Sequence, residues 1–120
     1  MNNVNLIGRL TKDVELRQTN SGKSVCSFCV AIDGGRDNTY FIDCVAWEAR
    51  ATNIAKYFHK GDKIGIAGML TTRSWTDNDE KSRKATEVLV NSFDFCNGKK
   101  VEQEQGEQYQ EEDIGVPFEI

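Results

Sequence analysis

Four residue groups in this chain have types that could do chemistry. Cys26 and Cys29 form a C-x-x-C pair, the spacing of zinc ligands or a redox dithiol. The one histidine, His59, offers a titratable imidazole. Phe41, Trp47 and Trp75 are flat rings set among polar or alternating residues, with Arg73 two residues before Trp75 and Arg9, Arg17 and Arg36 in other segments. Rings interleaved with arginines can stack on nucleobases and neutralise phosphates. The last group is a run of acids at the C-terminal end.

The elements that must carry these residues narrow the choice. Ser24 to Asp33 alternates as a strand, so residues three apart face opposite ways. Cys26 then shares a face with Phe28, Val30 and Ile32, while Cys29 points to the other side. A second ligand pair at zinc spacing is missing, so the cysteines read as small packing residues and reduced thiols. His59 falls at the end of a helical pattern, where a lone histidine is solvated or dipole-paired. Neither G-x-G-x-x-G nor a P-loop occurs, and no catalytic set, metal cluster or cofactor signature is visible. The chain reads as a non-enzyme with no cofactor.

Val4 to Leu10 is a first strand, with Gly8 a bulge or bend and Asp13 to Arg17 an extension. A turn at 19–22 leads to the second strand, Ser24 to Asp33, and Gly34 to Asn38 is a loop. The third strand, Thr39 to Trp47, places Phe41, Asp43, Val45 and Trp47 on one face and Tyr40, Ile42, Cys44 and Ala46 on the other. The period then changes: Ala51, Ile54, Ala55 and Phe58 follow helical spacing, with Gly61 suited to the C′ position. The fourth strand, from Lys63, turns Ile64, Ile66 and Leu70 one way and Met69, Thr71, Arg73 and Trp75 the other. Thr76 to Ser82 is a polar hairpin loop, and the fifth strand runs from Arg83 to Phe95.

Five strands with one helix between the third and fourth is the layout of an all-β OB-fold barrel. The pattern turns Phe41, Trp47 and Trp75 away from the barrel's filling residues, and assigns Tyr40, Tyr57, Phe58 and Phe28 to packing.

The chain has 120 residues and a net charge of −4, which alone would discourage a polyanionic partner. The charge is unevenly spread. All 15 lysines and arginines precede residue 101, whereas residues 101–120 hold seven acids and no base. Residues 1–98 therefore read as one small, net-basic domain and residues 99–120 as a disordered acidic tail. No apolar run approaches the ~18 residues that cross a bilayer. The start carries no secretory pattern, so a cytoplasmic, nucleoid-associated protein without a membrane partner is expected.

Several blocks in register carry a resemblance: VNLIGRLTKD at 4–13 followed by Glu15-Leu16-Arg17, YFIDCVAW at 40–47, NIAKYFHKG at 53–61, GMLTTRSWTD at 68–77 and TEVLV at 86–90. Over residues 1–95 the chain resembles the bacterial single-stranded DNA-binding proteins, above all the short versions of Gram-positive bacteria and their phages. The resemblance implies base stacking on Phe41, Trp47 and Trp75, phosphate contacts at Arg17, Arg73 and Lys60, and a homotetramer paired through its first strand. It also implies roles in DNA replication, recombination and repair. Two departures stand out. The loop at Gly34 to Asn38 lacks the additional aromatic that family members often carry there. The family's acidic tip closes on Pro-Phe and docks replication and repair enzymes; here Asp113, Pro117 and Phe118 are followed by Glu119 and Ile120. Other readings of the same residues are an OB-fold module that recruits replication proteins with DNA secondary, an RNA-binding OB protein, and a thiol redox protein.

Overall fold

A computed structural model describes residues 1–96. The tail expected from residue 99 onward, with Asp113, Pro117, Phe118 and Ile120, lies outside the described residues. The elements are β1 (Val4–Leu10), β2 (Glu15–Gln18), β3 (Ser24–Gly35), β4 (Asn38–Trp47), α1 (Ala49–Tyr57), β5 (Lys63–Thr76) and β6 (Ser82–Phe95). The sheet order is β1-β5-β6-β4-β3-β2, and a second pairing of β1 with β3 closes five of the strands into a barrel. The helix falls between β4 and β5. The OB-type layout read from periodicity is thus the one adopted. The expected extension of the first strand is a separate segment, β2, which pairs with β3 and not with β5.

Closure has a steric requirement at Gly8. It stays in register with Ile64 of β5 and forms no bulge. β1 there passes onto β3, and a Cβ on Gly8 would stand 2.6 Å from the Ala31 carbonyl oxygen. Close approach of β1 to β3 is what the residue permits. Gly68 serves the same purpose on β5, where a Cβ would meet the Leu89 carbonyl oxygen at 2.1 Å.

Alternation fills the barrel. Cys26, Phe28 and Val30 of β3, Cys44 and Ala46 of β4, Ile64 and Ile66 of β5, and Val88 and Val90 of β6 are buried. The helix covers one end with Ala51 and Ile54. Phe58, just past it, stacks on Phe95 at 4.8 Å and meets Phe93 edge-on at 5.8 Å. The helix starts without a side-chain cap at Glu48, whose φ of 57° is unusual for a residue with a Cβ. It ends at Phe58 in extended backbone. Gly61 is therefore not its C′ residue. It is the third residue of a turn closed by the Asp62 N–H donating to the His59 carbonyl, with φ of +88°. That position of a type II turn demands positive φ.

Two hairpins run past the barrel as arms. The β3–β4 arm turns through Arg36 and Asp37, both at positive φ, so the expected five-residue loop shrinks to a two-residue turn. The β5–β6 arm turns at 77–81, where Asp77 Oδ1 accepts the Asp79 and Lys81 N–H groups. Beyond the barrel there is no core to fill. Leu70, expected to face inward, sits opposite the buried Val88 but past the end of the β1 ladder at Gly68, and is half exposed, as is Tyr40 on the other arm. Tyr57 is also half exposed, its ring edge-on to Phe95, while Phe28 and Phe58 pack as expected.

Candidate nucleic-acid interface

Register shows how the outer face is assembled, because residues opposite each other in a ladder share a face. Met69, Leu89, Val45, Ser27 and Glu15 form one row across β5, β6, β4, β3 and β2. The aromatics stand around this row. Two residues to one side, Trp47 lies opposite Val25, which lies opposite Arg17. To the other side, Phe41 lies opposite Ala31, which lies opposite Arg9. Each of these rings thus shares its row with an arginine. Because β4 and β6 run parallel, both arms project at the end of the sheet where Phe41 sits. At about 3.3 Å per residue, Phe41 stands ~13 Å and Trp75 ~20 Å along their arms from the central row.

The rings are outside the core. Phe41 is 65%, Trp75 41% and Trp47 38% exposed. Exposing three large rings on one continuous face forgoes burial worth about 1.5–3 kcal/mol each. Trp75 lies opposite Arg83, and Arg83 Nε is fixed 2.6 Å from Asp77 Oδ2. That bond, together with the Lys81 and Asp79 N–H groups, holds the Asp77 carboxyl below its usual range, the Lys81 bond contributing most.

The expected cations are not all alike. Arg9 Nη1 donates to the Gly61 carbonyl at 3.0 Å, which brings it to the turn that carries the exposed Lys60. Lys60 is placed by its own N–H, which donates to Asp13 Oδ1 at 2.8 Å. Arg36 is at the tip of the β3–β4 arm and Arg17 on β2, both exposed. Arg73 is different: it forms an ion pair with Glu87 at 3.1 Å. Periodicity had no means of finding Glu87, Arg83 or Asp77 as partners, since the pairing depends on how many residues the polar loop consumes.

The cysteines sit as alternation requires, Cys26 and Cys44 buried and Cys29 half-buried. Burial pushes the Cys26 thiol up to about 11 against the Ala46 backbone and Arg17, which lower it. Burial likewise pushes Cys44 up to about 12, aided by Cys29, Asp43 and Glu87. Neither favours the reactive thiolate at neutral pH.

A β-barrel with arginine-flanked rings on one outer face has the make-up of an oligonucleotide-binding module. Comparison with known proteins makes this specific. Residues 1–96 match the single-strand binding protein family, and the chain belongs to that family. Single-stranded DNA-binding protein 2 of Listeria monocytogenes is 40% identical over 105 residues, covering 82% of this chain and 66% of the relative. Single-stranded DNA-binding protein of Bacillus cereus is 37% identical over 124 residues, 98% of this chain and 73% of the relative. Single-stranded DNA-binding protein 1 of Lactococcus lactis is 36% identical over 111 residues, covering 88% and 74%. The chain thus spans about two thirds to three quarters of these relatives' length.

Proposed function

We propose that this protein binds single-stranded DNA with little sequence preference, protecting it during replication, recombination and repair, and that it acts without catalysis. The observation that carries the reading is the outer face: three half-exposed rings on one sheet surface, two of them in ladder rows that include an arginine. Every base has a π-face, so stacking binds any sequence, at ~1–3 kcal/mol per base. Phe41, Trp47 and Trp75 receive the bases. Arg9, Arg17, Arg36 and Lys60 neutralise phosphates along the rim. No base-edge readout is needed.

The family supports the polymer, and the exposed rings support the mode. The names of the relatives specify single-stranded DNA. A duplex hides the π-faces that the rings need, so discrimination against it follows from stacking itself. The test is titration of the full chain with oligo-dT, a matched RNA oligomer and duplex DNA. The reading expects oligo-dT to bind well above duplex, and Trp75→Ala to weaken it about tenfold or more. Equal binding of duplex, or no effect of Trp75→Ala, would refute it.

Assembly into a homotetramer belongs to the same proposal, with β1 as the pairing strand. β1 pairs with β5 from Val4 to Arg9 but with β3 only at Arg9 and Leu10, so one edge of Val4–Gly8 carries no ladder among the described residues. Ile7 is 58% exposed there. Beside it lies an open depression of about 530 Å³ lined by Ile7, Gly65, Ala67, Phe93 and Cys96. An unpaired strand edge next to apolar surface is a ready template for a second copy. Among the described residues no helix is long and apolar enough to cross a membrane. Residence in the cytoplasm on the nucleoid, and docking of replication and repair enzymes through the acidic tail, complete the reading.

A further inference from the structure

Arg73 and Glu87 stand on the outer face of the β5–β6 arm, one diagonal step apart: Thr71 is opposite Glu87, and Arg73 is opposite Ala85. The guanidinium grips the carboxylate twice, Nε donating to Oε1 at 3.1 Å and Nη2 to Oε2 at 3.3 Å. Its Cζ lies over the Trp75 ring, 4.6 Å from the centroid. The Glu87 side chain is only 12% exposed, whereas that of Arg73 is 59% exposed. One edge of the guanidinium is thus occupied by the carboxylate and one face by the indole. What remains in water is the opposite face and the Nη1 end.

This is a poor arrangement for gripping a phosphate. An arginine does that with its N–H fork and its net charge. Here one of its two forks, Nε with Nη2, is engaged and the charge is partnered, which leaves only the Nη1 end for a phosphate. The same arrangement suits stacking, because a flat guanidinium can lie against a base as an aromatic ring does. We infer that Glu87 is a positioning residue that holds Arg73 flat on Trp75, so that Arg73 offers a second stacking surface for a base and does not act as a phosphate contact. The inference rests on the single-stranded DNA reading and changes the role that resemblance implied for Arg73.

It also differs in sign from charge counting. Glu87 puts a carboxylate on a face that meets a polyanion, so neutralising it should tighten binding at every salt concentration. If Glu87 positions Arg73, neutralising it weakens binding at high salt, where stacking outlasts phosphate attraction.

The experiment is fluorescence titration of the full chain with oligo-dT across a range of salt, comparing Arg73→Lys, Arg73→Ala, Glu87→Gln and Trp75→Ala. Arg73→Lys keeps the charge and loses the plane. It is expected to bind about tenfold more weakly, within the range of one lost stacking contact. Arg73→Ala should weaken binding without flattening the salt slope. Glu87→Gln should bind about fivefold more weakly at high salt, a partial loss of the same contact. Parent-like affinity in Arg73→Lys overturns the inference. So does a slope flattened by ~0.7 in Arg73→Ala, the share of one phosphate on single strands, or tighter binding of Glu87→Gln throughout. If Trp75→Ala weakens binding while Arg73→Lys does not, only the role of Glu87 and Arg73 falls. If Trp75→Ala binds like the parent, the DNA reading itself falls.

Discussion

Phe28 and Phe41 are the same residue type on adjacent, paired strands, and they serve opposite ends. Phe28 is 4% exposed inside the barrel, Phe41 65% exposed outside it. Phe28→Ala should cost about 3–5 kcal/mol of stability, whereas Phe41→Ala should cost under ~1 kcal/mol. Urea denaturation of the two variants checks this. A large loss for Phe41→Ala would mean that the ring serves the fold. The thiols give a second test at this scale. Raised folded-state values for Cys26 and Cys44 favour the protonated form in the native protein. The unfolded chain therefore holds fewer protons once pH passes the ordinary thiol value of 9.0. The stability contributed by these two groups is complete below that pH and is lost as pH climbs toward about 11 and 12. Thiol alkylation of the native protein at pH 8 should leave both unmodified, with mass spectrometry as the readout.

Among the elements, β1 with β3 and β5 with β6 owe their close contact to two glycines. Gly8→Ala and Gly68→Ala would each drive a Cβ into a backbone carbonyl oxygen, at 2.6 Å and 2.1 Å, which cannot swing aside as a side chain does. Each should lose ~2 kcal/mol or more, lowering Tm by roughly 8 °C or more for a domain of this size. Glu48 offers the reverse. Its positive φ strains a residue with a Cβ, and Glu48→Gly should leave Tm unchanged or raise it slightly, since relief of strain and added chain entropy nearly offset. Much of this scale was legible in the sequence. Alternation in Thr39 to Trp47 assigned each side chain to its face because one face meets a core. The helix showed itself at Ala51, Ile54 and Phe58 for the same reason. The misreadings arose where that condition lapses. Leu70 and Tyr40 point to the inward side, but Leu70 lies past the end of the β1 ladder and Tyr40 on the β3–β4 arm. Alternation reports direction, not whether anything is there to pack against. Gly61 reads as a helix end because composition does not distinguish a C′ glycine from a turn glycine. The Arg73–Glu87 pair was hidden because its register depends on a loop whose length the sequence leaves open.

At the scale of the whole molecule, charge is divided between a net-basic domain and a segment with seven acids and no base at 101–120. That segment should compete with DNA for the cations. Deleting 101–120 should tighten oligo-dT binding at low salt, with the gain shrinking as salt rises; equal affinity at low salt would remove the competition. With Arg9, Arg17, Arg36 and Lys60 as phosphate contacts, log affinity should fall against log salt with a slope of at least about −3 per chain. Assembly is checked by sedimentation equilibrium, where Ile7→Asp should shift the protein toward smaller species while its far-ultraviolet spectrum stays that of the parent.

The most direct test of the central claim is intrinsic tryptophan fluorescence during titration with poly-dT at two salt concentrations. Trp47 and Trp75 are the only tryptophans, and both are partly exposed on the outer face. Strong quenching that saturates at a fixed number of nucleotides per chain, and that persists at the higher salt once binding is complete, is the result expected if bases stack on these rings. Saturable binding with tryptophan emission unchanged would place the DNA elsewhere on the molecule and contradict the account.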